Sequence, residues 1–389
     1  MPRGRLAPHT PSVFLIHSQN KVYFEKKQHA LSAEAKYRAL RGEKMRKVRL
    51  GKSNLWVTQI GMGGIPIMRL TKRDGVKLVR EVLDLGINFI DTAHVYGDSE
   101  EKIGEALEGR RNQVILASKS PARDRKSFLE HVNLSLKRLR TDYLNIYHHH
   151  GVNSQEKMEK IMGPRGAFEG MIQALKEGKI LHPAFSSHHL PEAEELILTG
   201  KFEVVQIPFS FVDDEAKEKI IPLAQKLNIG FIAMKPMGGG LIGDARASFR
   251  YLLQFPQIVP DPGVEKIEEM QQILEIVENH PGPLTQKEKD RMKKIRQDLG
   301  KTFCHRCDYC QPCSEDIRIS LVLVFPSLVK RMPLKEALAR CEEAIEKARD
   351  CSECEECIER CPYHLNIPYL LKENIAYMEK LKEHSLLRS

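Results

Sequence analysis

Residues 71–93, TKRDGVKLVREVLDLGINFIDTA, decide how this chain folds. The first part, TKRDGVKLVREVLDLG, carries apolar side chains at three- and four-residue spacing, the period of a helix with one buried face. The end, NFIDTA, is a short apolar run that gives way to polar residues, as a buried strand does where it meets a loop. The same alternation recurs along the chain. The predicted strands are TQIGMGG, NFIDTA, VILASK, YLNIYHHH, HPAFSSH, VVQIPFS, GFIAMKP and a weak QIVP, separated by amphipathic stretches such as SFLEHVNLSLKRLR. Mostly apolar strands suit a parallel sheet covered on its outer face. Eight strands in roughly 200 residues, each followed by a helix, predict a (β/α)8 TIM barrel in the α/β class. A doubly wound open sheet competes, but it binds its dinucleotide on a G-x-G-x-x-G turn after the first strand. GMGGIP matches that turn poorly.

Ahead of the barrel, KVRLGKSNLWVTQ reads as a hairpin around the turn GKSN, capping one end. After Glu278 the texture becomes polar, charged and Pro/Gly-punctuated, which marks a boundary and a linker helix. Three segments result: 1–44, a basic N-terminal extension open to disorder; 45–280, the barrel; and 281–389, a linker helix and a small helical cysteine domain.

The net charge of +9 invites a nucleic-acid reading, but residues 1–44 hold nine Lys/Arg and three Asp/Glu and so carry +6 of it. The rest of the chain is only +3, which argues against nucleic acid as a partner. Met45 opens MRKVRLGKSNLWV, which has the look of a natural start, so the preceding segment reads as an appended piece, with a basic arm as the alternative. The longest apolar run, ISLVLVF, is far short of a membrane span and is a buried strand or helix. Nine cysteines in a chain without a secretory signal argue for metal or redox chemistry in the cytoplasm rather than a disulfide framework.

Active-site residues of such barrels come from the carboxyl ends of the strands and the loops that follow. Polar residues there are Asp91, Tyr96, Lys119, His150, Ser186, Gln206 and Lys235. A tyrosine serves as a general acid if its pKa comes down from about 10, which a nearby ammonium favours and a carboxylate holds in place. An imidazole can orient a carbonyl oxygen beside the phenol. His148 and His149 extend a tempting triplet, but strand alternation sends neighbours to opposite faces, so no triple-His metal site is expected.

INFIDTAHVYGDSEEKIGEAL, VILASK, RLRTDYLNIYHHHG, EGKILHPAFSSHH, FEVVQIPFSFVD and GFIAMKPMGGG, in this order over about 46–280, resemble the aldo-keto reductase family. The resemblance implies a catalytic tetrad of Asp91, Tyr96, Lys119 and His150, with Tyr96 donating the proton. It also implies a nicotinamide held by Ser186 and Gln206 and stacked on Phe209. Lys235, Pro236, Gly238 and the neighbouring glycines would run along the pyrophosphate, with Gly263 after the last strand. The implied cofactor is NADP, with NAD left open: Glu265 and Glu268 stand where an arginine would clamp a 2′-phosphate. Pro183 and Ala184 replace a glycine-containing turn before Ser186, which unsettles the alignment of Ser187.

The cysteines form two runs. CSECEECIERCP is C-x2-C-x2-C-x3-C-P, the bacterial ferredoxin signature, whose fourth cysteine serves the other cluster in two-cluster proteins. CHRCDYCQPC is its partner run, with a shorter last spacing. By that crossover, Cys304, Cys307, Cys310 and Cys361 hold one [4Fe-4S] cluster, and Cys351, Cys354, Cys357 and Cys313 the other. Zinc is the alternative, although structural zinc favours separated C-x2-C pairs. A branch of aldo-keto reductases with a C-terminal ferredoxin-like domain is similar across both runs and IPYLLKEN. Cys341 belongs to neither run and reads as a buried helix thiol. The expectation is a hydride-transferring oxidoreductase acting on a small carbonyl or alcohol. Its clusters would serve electron transfer, redox sensing or structure, with a ferredoxin-like electron partner. The alternative is an iron-sulfur electron-transfer or partner-binding protein that uses the barrel as a scaffold.

Overall fold

In the computed structural model, residues 45–279 and 282–386 are described; the extension expected over 1–44 lies outside them. An antiparallel hairpin, β1 (Lys47–Arg49) and β2 (Trp56–Thr58), comes first. Eight parallel strands follow in chain order: β3 (Met62–Gly63), β4 (Phe89–Asp91), β5 (Ile115–Ser120), β6 (Leu144–His149), β7 (Ile180–Ser186), β8 (Val204–Pro208), β9 (Gly230–Met234) and β10 (Ile258–Pro260). Each pairs with the next, as consecutive βα units joined by right-handed crossovers must. The sheet closes on itself: Gly63 bridges Gly263 in parallel, and the Gly61 and Gly63 amides donate to Pro260 O and Pro262 O, both at 2.9 Å. All eight anticipated strands are present.

Inside the barrel, side chains lie in layers. The lower layer is apolar: Phe89, Ala117, Ile146, Ala184, Val204, Ile232 and Val259, packed on Val48, Leu50 and Val57 of the hairpin. The hairpin is therefore the plug of the amino-terminal end, as its alternating pattern suggests. With a two-residue side-chain period, the next interior position on each strand lies two residues on. That step gives Asp91, Lys119, His148, Ser186, Gln206, Met234 and Asp261, a mostly polar layer at the carboxyl end. Helices such as Lys72–Asp84 and Arg125–Arg138 bury their apolar faces against the outside of the strands. The helix Ser99–Ala106 approaches the end of Arg125–Arg138 so closely that a Cβ on Gly104 would lie 2.4 Å from Arg138 O.

Beyond the barrel, helix Gln286–Leu299 starts on a capping box made by Thr285 and Glu288. Short helices Ile319–Leu323, Phe325–Val329 and Glu356–Glu359 and longer ones Leu334–Lys347 and Ile367–Leu386 follow. ISLVLVF is thus helical: its buried residues, Ile319, Val322 and Leu323, recur at helical spacing. This region has its own core around Phe325, Cys341, Ile345 and Met378. The same core takes in Met68 of the barrel, with Ile65 and Tyr96 packed against it, so the region roofs the carboxyl mouth of the barrel. Among the described residues, no helix is long and apolar enough to cross a membrane.

Gly104→Ala is expected to cost about 1–3 kcal/mol, because its new methyl meets backbone rather than a mobile side chain. A urea-denaturation midpoint unchanged from wild type would refute the close approach of the two helices.

Candidate functional site

The polar layer is built around one buried ion pair. Lys119 Nζ contacts Asp91 Oδ2 and donates to Thr92 O at 2.7 Å. Both side chains are almost wholly buried. Burial works against the Lys119 ammonium, but Asp91 and Tyr96 more than restore it, and its pKa lies above the usual lysine value. The ammonium stands 5.4 Å from the centre of the Tyr96 ring, and that ring meets His150 edge-on at 5.8 Å. The four residues expected to form the catalytic set are brought together.

Their electrostatics differ from the expectation in one respect. The Tyr96 pKa is raised, not lowered: burial lifts it further than Lys119 brings it down. The phenol therefore stays protonated at neutral pH. His150 is driven well below the usual histidine range by burial, Lys119 and His148, so its ring is neutral. Arg123 Nη2 donates to His150 O at 2.8 Å, and the His150 amide donates to Ser120 O at 2.8 Å, which hold the strand end in place.

The histidine triplet splits as strand alternation requires. His148 pairs in register with Lys119 and faces the interior, where burial lowers its pKa to about 4. His149 packs outside the strand among Phe128, Phe168 and Phe202.

Asp261, which the sequence reading passed over, joins the layer two residues after Val259. The Gln206 amide donates to Asp91 Oδ2 at 3.1 Å and to Asp261 Oδ2 at 2.7 Å. Burial and the neighbouring Asp91 push the Asp261 pKa well above the usual carboxylate range, which favours its protonated form. The signal for it is the repeat of one step: Val259 to Asp261, just past the end of β10, matches Phe89 to Asp91 on β4.

A cavity of about 400 Å³ opens at this layer; its lining includes Asp91 and Tyr96, Lys235 and the glycines at 239 and 240, and Glu265, Glu269 and Gln272. Of the expected cofactor residues, Gln206, Lys235, Pro236 and Gly263 line it. Ser186 and Gly238 do not: Ser186 Oγ accepts from the Gly151 amide at 3.0 Å, and Gly238 packs toward Ile242 and Phe303. Phe209 is a correction. It is buried among Phe231, Tyr251 and Phe255 in the outer layer. The physical reason is parity: three residues beyond inward-facing Gln206, it points to the opposite face. The apolar side chain on this wall of the cavity is Met234. Lys330 and Arg331 of the roof complete the lining, a contribution that no barrel motif signals.

The cysteines gather in two groups of four. One cavity is lined by Cys304, Cys307, Cys310 and Cys361, the other by Cys313, Cys351, Cys354 and Cys357. Among the described residues, no group of His, Cys, Asp or Glu is placed to hold a single metal ion. The thiols thus ring two spaces instead of converging on points. Cys341 lies apart, buried in the roof core.

A family model described as the aldo/keto reductase family matches residues 59–248. An oxidoreductase of Bacillus subtilis (strain 168), YqkF, is 31% identical over 212 residues, which cover 51% of this chain and 67% of the relative. The holo form of an aldo-keto reductase from Bacillus halodurans superposes with a TM-score of 0.56 at 24% identity, over 64% of this chain and 96% of that one. An aldo/keto reductase from Klebsiella pneumoniae, in complex with NADP and acetate, gives a TM-score of 0.55 at 21% identity, over 65% and 95%. At these identities the two structures show a shared fold.

A raised carboxyl pKa makes folding favourable in full below the ordinary carboxylate value, and that contribution is lost as pH rises toward the folded value. Asp261→Asn removes this loss. The variant is expected to gain thermal stability relative to wild type as pH rises above about 4. Parallel melting profiles above that pH would contradict a raised Asp261 pKa.

Proposed function

Because this chain belongs to the aldo/keto reductase family and is an oxidoreductase enzyme, we propose that it interconverts a small carbonyl compound and its alcohol at Tyr96. The observation that carries this reading is the convergence of Tyr96, Lys119, Asp91 and His150, with Tyr96 and Asp91 in the lining of one cavity. A nicotinamide dinucleotide, when bound, supplies or accepts the hydride. Tyr96, protonated at neutral pH, donates its proton to the carbonyl oxygen as charge develops there. Lys119 stabilises the phenolate left behind, and Asp91 fixes the ammonium beside it. His150, kept neutral, can offer a hydrogen bond to the same oxygen without competing for its proton. Lys119 and Asp91 are almost wholly buried, which strengthens their interaction.

The cavity suits a dinucleotide. Gln206 Oε1 is buried and, among the described residues, lacks a partner, although the amide nitrogen beside it is held by two carboxyls, so an acceptor is left for a carboxamide. Gln206, Lys235, Pro236 and Gly263 would hold the cofactor along the cavity. NADP is the dinucleotide in the Klebsiella structure and is the first assignment. NAD is a second reading, favoured by Glu265 and Glu269 in the cavity lining, since carboxylates suit ribose hydroxyls better than an added phosphate.

Each four-cysteine cavity is proposed to hold a [4Fe-4S] cluster, and the grouping of Cys361 with the first run and Cys313 with the second supports it. Bound clusters would supply one-electron transfer, redox sensing or closure of the roof. Cys354 is exposed, so a ferredoxin-like partner would meet the second site from that side. Nine free cysteines fit a reducing cytoplasm.

Tyr96→Phe is expected to lower kcat for reduction by about 100-fold or more while nucleotide binding persists; turnover equal to wild type across a panel of aldehydes would remove Tyr96 from the mechanism. Anaerobically purified protein is expected to contain about eight iron atoms per chain and to absorb broadly near about 400 nm. Cys354→Ala is expected to lose about half of that iron. Stoichiometric zinc with no iron would overturn the cluster assignment.

A further inference from the structure

We propose that Lys330 and Arg331, in the stretch between the two cysteine runs, form a clamp for the diphosphate of the dinucleotide, so that the roof supplies part of the cofactor site. This rests on the reading above that a dinucleotide lies in the barrel cavity. Ser327 Oγ donates to Gly239 O at 2.9 Å, and Lys330 Nζ donates to Gly240 O at 3.3 Å. From the barrel side, Arg69 Nη1 donates to Lys330 O at 2.6 Å. These bonds seat the roof directly on the glycine run. That run has φ of 57°, 68° and 88° at Gly238, Gly239 and Gly240, a conformation that side-chain-bearing residues avoid. A Cβ on Gly239 would lie 2.5 Å from Ser327 Oγ and 3.4 Å from Arg331 Nε. The glycines are therefore what lets the roof come this near.

Arg331 is a cation with unmet bonding capacity. Its Nε donates to Ser327 O at 3.0 Å, and among the described residues its two terminal nitrogens have no hydrogen-bond or ion-pair partner. The surroundings offer it no relief: Arg306 and Arg340 are close enough to repel it, and with burial they bring its pKa down to about 10. A guanidinium so placed fits an anion with two oxygens to offer. What it lies beside identifies the anion. Lys330 and Arg331 stand against Gly240 and Gly239 in the lining of the cavity that also takes in Asp91, Tyr96 and Lys235. The reading above runs the diphosphate along Lys235 and this glycine run, which puts it within reach of Arg331. A carboxylate on the substrate has the same chemistry, and the experiment separates the two sources.

Calorimetric titration of the anaerobically purified full chain with ADP-ribose, which keeps the diphosphate but lacks nicotinamide, reads the clamp directly. Arg331→Gln is expected to weaken ADP-ribose and dinucleotide binding by about 10- to 100-fold. Adenosine affinity should not change, and Arg331→Lys should recover part of the loss. At saturating nucleotide, the ratio of KM for 4-carboxybenzaldehyde to that for its methyl ester should also stay unchanged. Unaltered ADP-ribose affinity in Arg331→Gln would overturn the clamp while leaving the proposed function intact. A loss confined to the carboxylated aldehyde would overturn it too and assign Arg331 to the substrate. A wild-type chain that binds neither ADP-ribose nor dinucleotide would overturn both.

Discussion

The buried contact between Lys119 and Asp91 is the constraint around which the site is arranged. An ammonium and a carboxylate placed inside a barrel cost far more to desolvate than their attraction returns, unless further hydrogen bonds satisfy them. Thr92 O and the Gln206 amide provide those bonds, and the Gln206 amide is itself shared with Asp261. The groups proposed as catalytic thus belong to one polar layer whose members fix one another. Tyr96 and His150 stand at its rim and take their protonation states from it. Burial keeps the phenol protonated and the imidazole neutral, the states a proton donor and an orienting ring require.

Beneath that layer the interior is wholly apolar and sealed by the hairpin. The change from Phe89 to Asp91, or from Ala117 to Lys119, takes one step along each strand. This sharp boundary lets a charged site exist in a small barrel: packing supplies stability from below, and the polar groups need satisfy only one another and the cavity. The roof matters for the same reason. Its core reaches over Met68 and Tyr96, so the cysteine-bearing region is part of the wall of the site and not a module hung behind it. Any change in the roof's packing bears on the cavity through Ser327, Lys330 and Arg331.

Much of the fold is legible in the residue pattern, because a two-residue period and a three-to-four-residue period are local properties. The eight strands, the capping hairpin and the linker helix follow from them. So does the separation of His148 from His149, which needs only strand alternation. Phe209 shows the limit of a motif read without parity, since counting from Gln206 would have turned it outward. Asp261 was legible in principle, but only once the register of β10 against β4 is known, and register across a closed barrel is not local. Tyr96 illustrates another limit: a charge partner can be guessed from neighbouring motifs, whereas the depth of burial that opposes it cannot.

By itself, then, the sequence pointed to the barrel and to the division of eight cysteines into two sets, while its resemblance to a family pointed to the four residues proposed as catalytic. Strand periods and cysteine runs are encoded in spacing along the chain, and spacing survives without coordinates. Only the tertiary structure decided that Asp261 completes the polar layer, that Met234 and not Phe209 faces the cavity, and that Arg331, from a turn distant in the chain, leans over the glycine run. Those facts depend on which residues far apart in the chain share one small volume, and on how much water that volume excludes.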